Sequence, residues 1–379
     1  MDIDIEMNKK ILVVGGYGDV GSRICLILAK YYPGSVVAAG RSLGKAEKFS
    51  IRTSGKVLPR QLDLSKDWAN HELNDVGMVI MSLDLLSPEF AKHCLKSGIN
   101  YIDITASQVL INNLDGLKGQ AKENNASGII SVGLDPGISN LLVKQCSREM
   151  DYPEKAEINL LFGLGEDHGD GSIEWILNNL QNDFELNLRG STILVLSFQD
   201  GKSVIFPREL GKRTAYAFNF SDQHVLKKTL GIPEVRTRMC FESKVTTWLV
   251  AALAQIRFFK LLKYSIIKSS FKFLLKNLKL GSDVYSIKVT VRGVKNGKEV
   301  FSHGAIQGNG EAQITAEVAT LVARRLLELK PNPGVYHIEE LFEPKDILKH
   351  IKGARLFDES NDVQIENTKQ QLLIHLNEN

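Results

Sequence analysis

The sequence predicts an α/β protein, with a doubly wound parallel sheet at the N-terminus followed by a second α+β domain built on a mostly antiparallel sheet. Three observations predict it. Short apolar β-branched runs alternate with helical patterns from Lys10 to Val132. A glycine-rich loop follows the first of these runs. Beyond Pro153 the strands lengthen and are joined by hairpin signals.

Taking the elements in order, the first region holds six expected strands, at Ile11 to Val14, Val36 to Ala39, Val57 to Leu62, Met78 to Met81, Tyr101 to Ile104 and Gly128 to Val132. In the second region Gln199-Asp200-Gly201-Lys202 and Lys295-Asn296-Gly297-Lys298 both suit tight hairpin turns that need positive φ. Glu311 to Leu329 reads as a helix rich in small residues (Ala312, Ala316, Ala319, Ala323), able to dock closely on another element and ended by Pro331, Pro333 and Gly334. The expected division is therefore 1–145 for the first domain, 146–307 for the second, 308–357 for a helical return onto the first, and 358–379 for a polar tail.

With 379 residues, 43% of them hydrophobic, the chain can bury the core of two domains. Its 47 basic and 44 acidic side chains nearly cancel, which gives no global pull towards nucleic acid and leaves small-molecule chemistry as the expectation. Cys25, Cys94, Cys146 and Cys240 lie far apart without a CxxC pair, so neither a metal site nor a disulfide framework is expected. Reduced thiols and an acidic start at Met1-Asp2-Ile3-Asp4 suit a cytoplasmic location.

Directly after the first strand comes Gly15-Gly16-Tyr17-Gly18-Asp19-Val20-Gly21, followed at once by a helical apolar pattern. Strand, GxGxxG loop and helix in this order make a Rossmann dinucleotide site: Gly16 is assigned the tight turn, Gly18 the close approach to pyrophosphate, and Gly21 the helix packing. The helix N-terminus then faces the phosphates. After the second strand, where an NAD site places an acid, the chain has Arg41-Ser42, with Lys45 one turn on. A guanidinium there suits a 2′-phosphate, so NADP is expected over NAD. Asp63 and Leu64 after the third strand and Ser82 and Leu83 after the fourth complete the expected cofactor contacts, although Asp63 equally suits a cap of the following turn.

Tyr101-Ile102-Asp103-Ile104-Thr105 and Gly133-Leu134-Asp135-Pro136-Gly137-Ile138-Ser139-Asn140, together with the glycine loop, resemble the NADP-dependent saccharopine dehydrogenase (saccharopine reductase) family and its relative carboxynorspermidine synthase. The resemblance, which extends to Gly334-Val335, implies a homodimeric enzyme that moves hydride between a nicotinamide and the C–N bond of an amino-acid conjugate. It places Asp135 close to the nicotinamide, as a holder of the substrate amine or a proton relay, and Thr105, Pro136, Gly137 and Trp175 near substrate. Apart from the resemblance, Arg208, with Arg213, Arg236 and Arg238, is a candidate for holding a substrate carboxylate, a surface position being the plainer reading. Read bottom-up, Asp135 also suits a helix N-cap with Pro136 at the first helical position. The chain departs from saccharopine reductases at Leu161-Phe162-Gly163-Leu164, where they carry Cys-Gly-Gly-Leu, and this leaves an amino-acid-like or a polyamine-like substrate open.

His168, in the acidic loop Gly165 to Gly171, is the second candidate acid or base, since neighbouring carboxylates raise a histidine pKa; a solvated polar loop is the plainer reading. No metal spacing is present there. From Lys244 to Lys279 there are eight basic residues and no acidic one, with apolar side chains between them. This suits helices of the second domain with lysines solvated on one face, and contact with an anionic membrane surface is the less favoured alternative. Three functions compete. The leading one is an NADP-dependent oxidoreductase; the others are a Rossmann binding or scaffold protein that has lost its chemistry and a membrane-associated redox protein. Turnover with any imine separates the first two, and liposome sedimentation separates the third.

Overall fold

The computed structural model describes residues 9–66, 73–85, 87–166, 169–277, 280–351 and 354–358. Thirteen α-helices and sixteen strands are found among them. The strands are β1 Lys10–Val14, β2 Val36–Gly40, β3 Val57–Gln61, β4 Val76–Met81, β5 Asn100–Asp103, β6 Ser127–Ile130, β7 Tyr152–Leu164, β8 Phe184–Leu188, β9 Ser191–Val195, β10 Lys202–Phe206, β11 Gly211–Ala217, β12 Glu234–Phe241, β13 Leu280–Lys295, β14 Lys298–Asn309, β15 Gly334–His337 and β16 Arg355–Asp358. The helices are α1 Asp19–Leu28, α2 Leu43–Arg52, α3 Glu89–Lys96, α4 Gln108–Asp115, α5 Lys118–Glu123, α6 Ser139–Ser147, α7 Asp170–Gln181, α8 Asp222–Thr229, α9 Lys244–Gln255, α10 Ser265–Asn277, α11 Glu311–Leu329, α12 Ile338–Leu341 and α13 Pro344–Leu348.

The first sheet has the order β15-β6-β5-β4-β1-β2-β3, with every pairing parallel. Its central strands are buried on both faces, as in Ile11, Leu12, Val13 and Val14, all at most 1% exposed; that is why they read as continuous apolar runs. The six expected strands all form. The seventh, β15, arrives from the far end of the chain and pairs with β6. The second sheet runs β10-β11-β12-β7-β13-β14-β16, in which only β12 and β7 are parallel.

Two turn expectations separate here. Asn296 (φ 51°) and Gly297 (φ 72°) close the β13–β14 hairpin with Lys295 opposite Lys298, as Asn-Gly chemistry requires. The segment 199–202, by contrast, joins no hairpin: β9 pairs back on β8 and β10 pairs forward with β11, while Asp200 alone takes positive φ and its carboxylate holds the buried Arg238. The return over 308–357 contains α11, within the expected bounds, and also the strands β15 and β16, the latter extending the second sheet. Helix α11 lies along α1, with Arg23 reaching Gln313 at one end and Arg324 stacked on Tyr31 at the other. The second domain therefore leaves the first after β6 and comes back beside α1, so a cleft opens between the two sheets.

Candidate functional site

The glycine loop is held by its own backbone. Gly15 and Gly16 donate to Ala39 O at 2.9 and 3.2 Å, which ties the loop to β2. The positive φ belongs to Gly15 (80°), one residue before the expected position. Gly16 is needed instead for contact, since a Cβ there would stand 2.7 Å from Ala38 Cα. At Gly21 a Cβ would stand 2.2 Å from Gly15 O, the close helix packing assigned to it. Gly18 differs from both. A Cβ there would meet only Gly15 O, at 3.1 Å, so its outward side is open, and as the N-cap of α1 it leaves the first-turn N–H groups without a side-chain acceptor. Gly18, Asp19, Val20 and Gly21 line the cleft, an arrangement that fits a pyrophosphate at a helix N-terminus.

Beside this loop the end of β2 gathers the other expected nucleotide contacts. Ser42 N–H donates to the Tyr17 hydroxyl at 2.9 Å, and Ser42 Oγ caps α2 by accepting from Lys45 N at 3.4 Å. Arg41 is exposed, with its carbonyl held by Gln61 Nε2. Asp63 accepts from Ser65 N and Oγ at 3.1 and 2.7 Å, which holds its carboxyl below the usual range; it closes a turn, with Leu64 half-buried behind it. Ser82 Oγ donates to Val14 O at 2.7 Å, and Ser82 and Leu83 line the cleft where β4 ends.

The opposite wall comes from the second domain. Phe162 at the end of β7, Trp175 and Ile176 on α7, and Phe220, Met239 and Phe241 enclose with the first domain a cavity of about 470 Å³. Trp175 is fixed by ring contacts to Phe220 and Phe218 at 5.1 and 5.6 Å. The walls meet closely, for a Cβ at Gly171 would lie 2.9 Å from Asp84 Oδ2.

Asp135 reaches the cleft from the loop after β6. Its φ of −152° and ψ of 112° are extended and α6 begins only at Ser139, so the N-cap reading does not hold. Asp135 Oδ1 instead accepts from Ser139 Oγ at 2.8 Å, while Oδ2 is buried with no hydrogen-bond partner among the described residues, and the buried carboxyl of Asp222 at the start of α8 acts on it electrostatically. Asp222 Oδ1 accepts two short bonds, from Thr237 Oγ1 and Gln223 N, both 2.6 Å. Burial raises both carboxyls, and the Asp222 charge raises Asp135 further. The donors on Asp222 favour its anion, so the shared proton sits on Asp135, the member that faces the cleft. Pro136 lines the cleft with it, and Gly137 is buried behind.

Further acids border the cavity. Asp84 is raised by burial and accepts from Thr105 Oγ1 at 3.4 Å, while Thr105 N donates to Asp103. Glu311, at the start of α11, is pushed up to about 8 by burial and by the Glu166 charge. Glu166 itself accepts from Glu311 N at 2.7 Å and faces Arg23 at 3.5 Å, joining α1, α11 and the second domain. None of the described residues lining the cleft is a lysine or arginine. Arg208 stands elsewhere, over the Phe357 ring, and His168 lies outside the described residues. All four cysteines are buried and outside the lining.

Asp222, Asp84, Glu166 and Glu311 are not visible as site residues in the sequence. Only Asp84 carries a local signal, two residues past Ser82 at the carboxyl end of a strand.

Residues 11–130 match the family model described as the saccharopine dehydrogenase NADP binding domain, and NADP is accordingly the cofactor of this domain. No curated protein matches the sequence. Among solved structures, apo saccharopine dehydrogenase (L-Glu forming) from Saccharomyces cerevisiae is 14% identical, with a TM-score of 0.62 over 92% of this chain and 100% of that one. DAP dehydrogenase of C. glutamicum, in complex with DAP, is 11% identical, with a TM-score of 0.45 over 90% and 95%. The first likeness shows the fold, and the domain match supports an NAD(P)-dependent oxidoreductase.

Proposed function

We propose that the protein reduces, or in reverse oxidises, a C–N bond of a polyamine-like substrate with NADP(H). The observation that carries this reading is the Asp135 carboxyl lining the cleft beside the glycine loop, where burial and the Asp222 charge favour its protonated form. Gly18, the first turn of α1 and Arg41 would hold the dinucleotide, which supplies hydride when bound. The chain's own part is the proton. An imine nitrogen accepts the Asp135 O–H as its carbon is reduced, the amine leaves with that proton, and solvent restores it to the pair.

The lining supports one of the two substrate classes left open by the sequence. A conjugate of two amino acids brings several carboxylates, for which bidentate arginine is the usual partner. Here the described lining has no lysine or arginine and offers the carboxyl oxygens of Asp19, Asp84, Glu166 and Asp170 together with aromatic rings, a surface that suits amine groups on an apolar chain.

The test is NADPH oxidation with two panels of imines, one from diamines and aldehydes and one from amino acids and keto acids. Turnover is expected with the first. Preference for the second would overturn the substrate class, and tight NADPH binding with no turnover in either would overturn the enzyme.

A further inference from the structure

The basic segment from Lys244 to Asn277 presents its apolar side chains to solvent. On α9 only Thr247 and Ala254 are buried, whereas Val245 (73% exposed), Trp248 (68%), Leu249 and Ile256 (72%) recur at helical spacing along the outer face. Tyr264 and Ile266 (80%) continue it into α10. Of 22 exposed large apolar side chains among the described residues, nine fall between Val245 and Leu274, in less than a tenth of the chain, so exposed apolar surface is concentrated in this segment. The same segment carries the cations. Lys268 and Lys272 pair with Glu174, Lys276 with Asp170, and Arg257 and Lys260 with Asp183; Lys244 and Lys263 add two more. Seven cations against three carboxylates leave an excess of four positive charges, and the segment itself contains no acid.

We propose that this face docks on an anionic lipid surface, the apolar side chains of α9 and the start of α10 entering the headgroup layer and the lysines of the segment meeting lipid phosphates. Charge chooses this occupant over a second copy of the chain, because two such faces brought together would set one positive segment against another with no acid between them. Trp248 and Tyr264 have the apolar body and polar tip that sit well at a lipid–water boundary, and lysines extend their charge past apolar stems towards headgroups. Insertion is shallow: no helix among the described residues is long and apolar enough to cross a membrane. Helix α10 rests on α7, which carries Trp175 into the cleft, so docking sets the cavity one helix away from the lipid.

The test uses the full chain with vesicles of phosphatidylglycerol and phosphatidylcholine in equal parts, and with vesicles of phosphatidylcholine alone. Co-sedimentation with the anionic vesicles is expected to be at least tenfold stronger, to weaken in 1 M salt, and to fall at least tenfold in the double variant Trp248→Ser, Ile256→Ser. Both positions are exposed, and unchanged circular dichroism and NADPH affinity confirm that the variant is folded. Equal binding to the two vesicle types, or none to either, overturns the proposal. So does sedimentation equilibrium showing a dimer that the double variant dissociates, because a second copy then covers the face.

Discussion

Asp135 and Asp222 are both buried and raised, the Asp222 charge opposing ionisation of Asp135, while donors from Thr237 and Gln223 favour the Asp222 anion. Asp135→Asn is expected to lower kcat by about 10²-fold, the scale of a lost general acid, with NADPH affinity unchanged. Asp222→Asn makes a different forecast. Burial and then the Asp222 anion raise Asp135, so removal of that charge lets Asp135 lose its proton at lower pH, and the fall of kcat/KM on the alkaline side moves to lower pH. A pH profile with an unmoved alkaline limb would show that Asp222 only packs. At the other end of the nucleotide site, Arg41→Ala is expected to weaken NADPH about tenfold and leave NADH unchanged, as titration of both cofactors would show. Arg41 was legible because it is local to the motif, one residue past β2. Asp222 was not, since 87 positions separate it from Asp135 and only the return of the second domain joins them.

The same contrast holds for whole elements. The strands β1 to β6 and helix α11 stood in the sequence because each is an apolar run or a periodic stripe bounded by glycine, proline or polar residues. Strand β15 did not, for Gly334-Val335-Tyr336-His337 is too short to show a period and pairs with a strand some 200 positions earlier. The pair α9 and α10 forms as helices with solvent-accessible lysines, as expected, although several also pair with Glu174, Asp170 and Asp183; what the sequence did not show is that many apolar side chains between them are exposed as well. For α11 the small residues explain the close docking. Ala316 and Ala319 are fully buried in a helix that lies along α1, so neither position has room for more atoms. Ala316→Leu is expected to cost about 1–3 kcal/mol of stability, measured by urea unfolding. A cost below a few tenths of a kcal/mol would mean that the helix stands off its neighbours.

At the scale of the molecule, closing a cleft between two sheets has buried carboxyls that would ionise freely in an unfolded chain. Asp103, buried and bonded to Tyr101 and Thr105, is pushed up to about 7, Glu311 to about 8, and Asp84, Asp135 and Asp222 are raised as well. An unfolded aspartate titrates near 3.9, so between about pH 4 and pH 7 these carboxyls bind more protons in the folded chain, and the stability they contribute falls as pH rises through that window; one buried group, His224, lowered to about 4, opposes them. Carboxylates at the surface pull the other way. Glu157, Glu174, Asp183 and Glu234, paired with lysine and arginine, are held below their usual range and contribute stability that is lost only as pH falls below about 4. The two sets together place the maximum on the acid side of neutrality. Thermal unfolding from pH 4 to pH 8 should therefore show Tm falling above about pH 5. Asp103→Asn isolates one contributor: the variant loses a hydrogen bond and is less stable throughout, but a downward slope of up to about 1.4 kcal/mol per pH unit should disappear between about pH 4 and pH 7. An unchanged slope in that variant would mean that Asp103 is ionised in the folded protein, and that the sheet end beneath the cleft carries its charge rather than excluding it.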